Sequence, residues 1–151
     1  MSRGLGDVYK RQILWIDDDV RRPELSVDID EFNENGFEII KADNPDECNE
    51  IISQRQDFEC IIIDISMPTG KNINFGEAKG GMRTGLIVLK QLVNNEKLND
   101  IQKVVFTIVD DEDVRSYCEE NNIPYLSKRK FLSDTFVERI KHILSHTDNK
   151  D

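Results

Sequence analysis

The residues best suited to chemistry in this 151-residue chain sit where its short apolar runs stop. Ile13–Ile16 (ILWI) runs straight into Asp17, Asp18 and Asp19, and Glu59–Asp64 (ECIIID) also ends in a carboxylate. A third run, KVVFTI, carries Thr107 near its end, and PYLS is followed at once by Lys128. Short apolar runs of this kind suit strands buried on both faces of a parallel sheet. With those strands side by side, Asp17, Asp18 and Asp64 meet at one point. Converging carboxylates repel one another unless a cation sits among them, and hard oxygen ligands with room for water suit Mg2+. A plainer reading of Asp17–Asp19 is a cap on the following helix, where negative charge complements the dipole. Capping needs one carboxylate, however, not three. Asp19 reads as a surface or capping residue.

The elements that must position these groups alternate strand and helix. After Ile13–Ile16, a helix with Pro23 in its first turn carries Leu25, Ile29 and Phe32 on one face and stops at Gly36. Phe37–Lys41 is the second strand, and Asn44-Pro45 opens the second helix as cap and first residue. Glu59–Asp64 is the third strand and Thr84–Val93 the third helix. The fourth strand lies within Ile101–Ile108, followed by a helix carrying Val114, Tyr117 and Cys118. Pro124–Ser127 is a short fifth strand and Ser133–Ser145 the last helix. Five such units predict an α/β fold, a doubly wound five-stranded parallel sheet with five helices. Ligands of such sheets bind outside the carboxyl ends of the strands, where the polar residues above fall.

An acidic pair after strand one, Asp64-Ile65-Ser66-Met67-Pro68 after strand three, Thr107 closing strand four and Lys128 closing strand five together resemble the receiver domain of bacterial two-component response regulators. The resemblance covers Ile13–Leu144. It implies the flavodoxin-like strand order 2-1-3-4-5. It further implies that Asp18 and Asp64 ligate Mg2+ directly, with Asp17 acting mainly through water and the Ser66 backbone carbonyl completing the protein ligands. Asp64 is then the phosphoacceptor, forming an acyl phosphate. Lys128 supplies an ammonium and Thr107 a hydroxyl to the phosphoryl oxygens, since phosphoryl transfer rests on positioning and charge neutralisation. Tyr125 matches the aromatic that swings inward with Thr107. The implied donor is a histidine kinase or phosphotransfer protein in a bacterial cytoplasm. Partner contacts, a homodimer among them, fall on the face of the fourth helix, fifth strand and fifth helix; the downstream partner is open. Such a domain phosphorylates and dephosphorylates itself but does not turn over external substrates.

Three features depart from the family pattern. The link from Asp64 to Gly85 is about a dozen residues longer than usual. Its insertion, Thr69–Arg83 (TGKNINFGEAKGGMR), reads equally as a lid or a flexible excursion. Ile108 follows Thr107 where the family places Ala or Gly, which implies restricted access and slow phosphorylation and hydrolysis. Arg129 follows Lys128 in place of the usual proline, leaving the geometry of that loop open. The alternative function is a pseudo-receiver, a phosphorylation-independent protein-interaction module with the same acidic pocket. A flavodoxin-like small-molecule binder is disfavoured because no Gly-rich phosphate loop follows the first strand. Taken singly, Thr107 reads as an ordinary strand residue, Tyr125 as a half-buried aromatic and Lys128–Lys130 as a solvated charge run. His142 and His146 read as a solvent-facing pair, and Cys48, Cys60 and Cys118 as reduced core or helix-face residues.

Ser2–Gln12 (SRGLGDVYKRQ) is set aside from the fold. It matches, residue for residue, an in-frame reading of a transposon-end adapter used in shotgun sequencing, which implies that residues 1–12 are not native and that the natural sequence before Ile13 is missing. The expected organisation is therefore a receiver-like domain over 13–146 with its insertion at 69–83, and a disordered tail over 147–151. The whole chain has a net charge of -10, and without that segment, whose Arg3, Lys10 and Arg11 outnumber Asp7 by two, it reaches -12. Such acidity argues against direct nucleic-acid binding. No apolar run approaches the ~20 residues that span a bilayer. With 38% apolar residues the chain can bury a core; at this length roughly two-thirds of the unfolded surface is removed from water.

Overall fold

A computed structural model describes residues 10–131 and 133–148. Five parallel strands, β1 (Arg11–Ile16), β2 (Phe37–Ala42), β3 (Cys60–Ile63), β4 (Gln102–Thr107) and β5 (Tyr125–Ser127), form one sheet in the order β2-β1-β3-β4-β5. Between and after them run α1 (Pro23–Glu34), α2 (Pro45–Gln54), α3 (Thr84–Asn94), α4 (Glu112–Glu120) and α5 (Ser133–Asp148). This is the doubly wound sheet expected from the alternation. No helix among the described residues is long and apolar enough to cross a membrane.

Both faces of the central strands are covered, which is why their sequences are continuously apolar. In β1, Ile13, Leu14, Trp15 and Ile16 are all fully buried. Ile13 and Trp15 face α1 and α5, packing with Phe32, Phe106, Phe136 and Ile140. Leu14 and Ile16 face α2, α3 and α4, packing with Cys48, Ile63, Leu89 and Val114. Phe106 and Phe136 stack with centroids 3.7 Å apart, and Trp15 lies against both. All three cysteines are buried and unpaired. His142 and His146 are exposed on α5 with ring centroids 4.1 Å apart, a solvent-facing pair.

Several ends differ from expectation. β1 begins at Arg11, two residues early, because backbone pairing with Phe37 and Glu38 of β2 does not depend on apolar side chains. Arg11 also pairs with Glu59, and Gln12 donates to Glu38. β3 stops at Ile63 and β4 at Thr107, so Asp64 and Ile108 lie just beyond their strands. α5 continues to Asp148, taking in the first two residues expected as tail; residues 149–151 lie outside the described residues. The cap on α1 also differs. Arg22 holds that position with no side-chain bond, and Asp19 pairs with Arg22 at 3.1 Å. The acidic run therefore does not cap α1.

Helix α3 packs so closely on the end of β3 that its second residue must be glycine. Gly85 donates to the Ile65 carbonyl at 2.7 Å. A Cβ added there would lie 2.5 Å from Ile65 Cα, 2.8 Å from the Asp64 carbonyl carbon and in overlap with the Asp64 carbonyl oxygen. Gly85→Ala is expected to destabilise the chain by about 3 kcal/mol, the upper part of the range for overpacking. Ala is otherwise the better helix former by ~1 kcal/mol. Urea denaturation measures the difference, and a neutral or stabilising result would contradict this packing.

Candidate functional site

The sheet's carboxyl edge collects the groups singled out in the sequence. Asp17 follows β1 with its N–H on the Ala42 carbonyl (2.9 Å), and Asp64 follows β3 with its N–H on the Ile16 carbonyl (2.9 Å). These backbone bonds fix the two carboxylates side by side. Asp17 is fully buried and Asp64 is 4% exposed. Between them lies the Lys128 ammonium, donating to Asp17 Oδ2 at 2.7 Å and to Asp64 Oδ2 at 3.0 Å. The second oxygens are also engaged. Asp17 Oδ1 accepts from Asp19 N–H at 2.9 Å and Asp64 Oδ1 from Ile65 N–H at 2.7 Å.

Lys128 reaches this position although Arg129 stands after it. Its own N–H extends the β4–β5 pairing by bonding the Thr107 carbonyl at 2.9 Å, and a turn closes from Lys130 N–H to the Ser127 carbonyl. The described residues contain no cis peptide bond. Burial alone would weaken the ammonium, but Asp64 and Asp17 outweigh it and raise its pKa.

The carboxylates carry the opposite strain. Burial and the charge of Asp64 push Asp17 up to about 6, against the relief given by Lys128. Asp18, partly buried, is also raised, first by desolvation and then by Asp19 and Asp64. One ammonium does not balance Asp17, Asp18 and Asp64. Asp17, Asp18 and Asp19 can each offer a carboxylate oxygen within 4.8 Å of the others. The donor set is all oxygen and in negative excess, which fits a hard divalent cation. Asp18 and Ser66 line one 270 Å3 cleft with Met67, Pro68, Thr69, Phe75 and Gly80–Met82, so the insertion walls the site.

The remaining candidates fall nearby in different roles. Thr107 is buried, and its hydroxyl oxygen accepts from Val109 N–H at 3.1 Å. Tyr125 is half-buried; its hydroxyl donates to the Val109 carbonyl and accepts from Asp111 N–H at 3.4 Å. Ile108 is 55% exposed just beyond β4.

Two anchors of the insertion were not foreseen from the sequence. The Asp46 carboxylate, in the first turn of α2, accepts from Lys71 N–H at 3.1 and 3.2 Å. Arg83 forms a two-pronged pair with Asp111, at 2.6 and 3.0 Å, and reaches Asp113 at 3.0 Å. Between these anchors turns are tied by backbone bonds such as Gly80 N–H to Phe75 O, and Met67 N–H bonds Gly81 O at 3.1 Å. Ala78 is fully buried, while Phe75 and Met82 are exposed. The insertion is thus a folded wall of turns. The one sequence signal for such turns was its glycines; Gly70, Gly80 and Gly81 all have positive φ.

No protein-family model matches this sequence, and no curated protein is significantly similar to it. Solved structures match the fold across nearly the whole chain. A CheY-like response regulator receiver domain protein from Methanospirillum hungatei JF-1 superposes with a TM-score of 0.73, covering 94% of this chain and 99% of that one at 18% identity. A response regulator from Thermotoga maritima gives 0.65, with 90% and 98% covered at 18% identity. The chemotaxis response regulator CheY4 of Vibrio cholerae gives 0.67, with 89% and 98% covered at 16% identity. The chain has the CheY-like fold of response regulator receiver domains.

The raised pKa of Asp17 has a signed consequence. A carboxylate raised from 3.8 to about 6 favours the folded state when neutral. That contribution is full below pH ~4 and is lost as pH rises through ~6. With divalent cations chelated, about 2–3 kcal/mol of unfolding free energy should be lost across this window, and Asp17→Asn should flatten the decline. Urea denaturation at stepped pH measures it; equal slopes in both proteins would contradict the assignment.

Proposed function

We propose that the chain is a phosphoryl-accepting receiver in which Asp64 takes a phosphoryl group as an acyl phosphate, with Mg2+ as cofactor. The observation that carries this reading is the convergence of Asp17, Asp64 and Lys128 at the carboxyl ends of three different elements, with both carboxylates held by the one ammonium.

Asp18 and Asp64 would hold the cation directly, with Asp17 acting through water and the Ser66 carbonyl completing the set. When bound, Mg2+ neutralises the charge between the carboxylates and the incoming phosphoryl oxygens. In the transfer an Asp64 carboxylate oxygen forms the bond to phosphorus, and the donor's bond to phosphorus breaks. Lys128 is fixed within reach of Asp64 and meets the added negative charge without reorganising. Thr107 supplies a hydroxyl to the same oxygens, and Tyr125 follows it to alter the face of α4, β5 and α5. The donor is a histidine kinase or phosphotransfer protein, as the receiver fold suggests. The acidity of the chain suits a protein partner better than nucleic acid.

The second reading, a pseudo-receiver used as an interaction module, draws on Ile108, whose branched side chain follows Thr107 in sequence and is exposed. One titration separates the two. Beryllofluoride with Mg2+, a phosphoryl mimic, is expected to shift the amide resonances of Thr107 and Tyr125 in the wild-type chain and to leave Asp64→Asn silent. A wild-type spectrum that does not change would favour the pseudo-receiver.

A further inference from the structure

The insertion ends on Arg83, and that residue begins a continuous path to Thr107. The Arg83 guanidinium grips both oxygens of Asp111 (2.6 and 3.0 Å). Asp111 is the N-cap of α4, its carboxylate accepting from Asp113 and Val114 N–H groups. Its own N–H donates to the Tyr125 hydroxyl at 3.4 Å. That hydroxyl donates to the Val109 carbonyl, and Val109 N–H donates to the Thr107 hydroxyl oxygen at 3.1 Å. The segment 108–111 is therefore fastened by Thr107 of β4, Tyr125 of β5, Arg115 of α4 through Asp110, and Arg83, the fastening that comes from the insertion.

The hydroxyl of Thr107 is engaged with this segment, while the Lys128 ammonium is engaged with Asp17 and Asp64. The Thr107 hydroxyl oxygen accepts from Val109 N–H and keeps its own proton to donate, so a phosphoryl group on Asp64 that draws Thr107 inward draws Val109 with it. That movement works against the bonds that Tyr125 makes to Val109 and Asp111. A ligand shifts such an equilibrium only by a difference in contacts between the two arrangements, and the grip of Arg83 on Asp111 supplies one. The pair is 21% and 14% exposed, so it is shielded more than a rim ion pair. A guanidinium fork engaging both carboxylate oxygens fixes orientation as a lysine cannot.

We infer that Arg83 is a positioning residue through which the insertion holds segment 108–111 in its resting arrangement and opposes engagement of Thr107 by a phosphoryl group. The inference rests on the reading of Asp64 as phosphoacceptor. It makes the insertion a regulatory element, because whatever displaces Arg83 from Asp111 makes the acidic centre more receptive.

The test titrates beryllofluoride into the full chain at saturating Mg2+, following the amide resonances of Thr107, Val109 and Asp111. Arg83→Gln is expected to bind about fivefold more tightly than wild type, the lower end of ordinary coupling between sites. Asp111→Ser removes the ion pair but retains an N-cap side chain, and should tighten binding by the same factor. The double variant should add nothing beyond either single one, because both remove the same contact. Arg83→Lys should fall between Gln and wild type. Thermal melts establish that each variant is folded. An ion pair that merely stabilised the fold would leave affinity unchanged or weaker when lost, and either result in both single variants overturns the inference. A wild-type chain that does not respond to beryllofluoride removes the phosphoacceptor reading and this inference with it. A response that is equal in wild type and variants overturns the inference alone.

Discussion

The structure depends on holding Asp17 and Asp64 together out of water. Two carboxylates at the ends of neighbouring strands repel each other, and burial makes Asp17 harder to ionise. Lys128 spans both, yet Asp17 is still pushed up to about 6. The remaining imbalance is a property of the resting fold. The oxygen atoms of the centre are already in place, because the strand ends are fixed by bonds to Ala42 and Ile16.

The rest of the architecture serves that placement. The two apolar layers clamp β1 and β3 from both sides, so the residues just past them have little freedom. Gly85 lets α3 press against the backbone of Asp64 and Ile65. Lys128 is delivered by a strand of only three residues, Tyr125–Ser127, whose pairing with β4 is extended by its own N–H. A short edge strand suffices there because the ammonium, once between two carboxylates, anchors the loop as well as serving the site.

Much of this was legible in the sequence because parallel strands buried on both faces leave uninterrupted apolar runs. Asp17, Asp64 and Thr107 lie at the ends of such runs, and their convergence follows from strand order alone. Lys128 lies in a charge run, Lys128–Lys130, and was identifiable only by its register with the others. Arg83 and Asp111 were not legible. They are 28 residues apart, one in an insertion and one in an acidic stretch, and nothing in local periodicity links them. Asp46 escaped for the same reason, since a carboxylate in the first turn of a helix has a sufficient local explanation. The first two residues of β1 were missed because backbone pairing at a strand's start leaves no pattern in side chains.

The bond from Met67 N–H to Gly81 O has a consequence for the lineage of this chain. It joins the two ends of the insertion at their base, making the turns between them a closed detour. Residues added or deleted inside the detour alter its outer wall while Met67 and Gly81 stay where they are. Length at this point is mechanically separated from Asp64, since loop-closure entropy grows only slowly with size. The wall beside the acidic centre can therefore diversify between its two ties, Lys71 to the start of α2 and Arg83 to the start of α4.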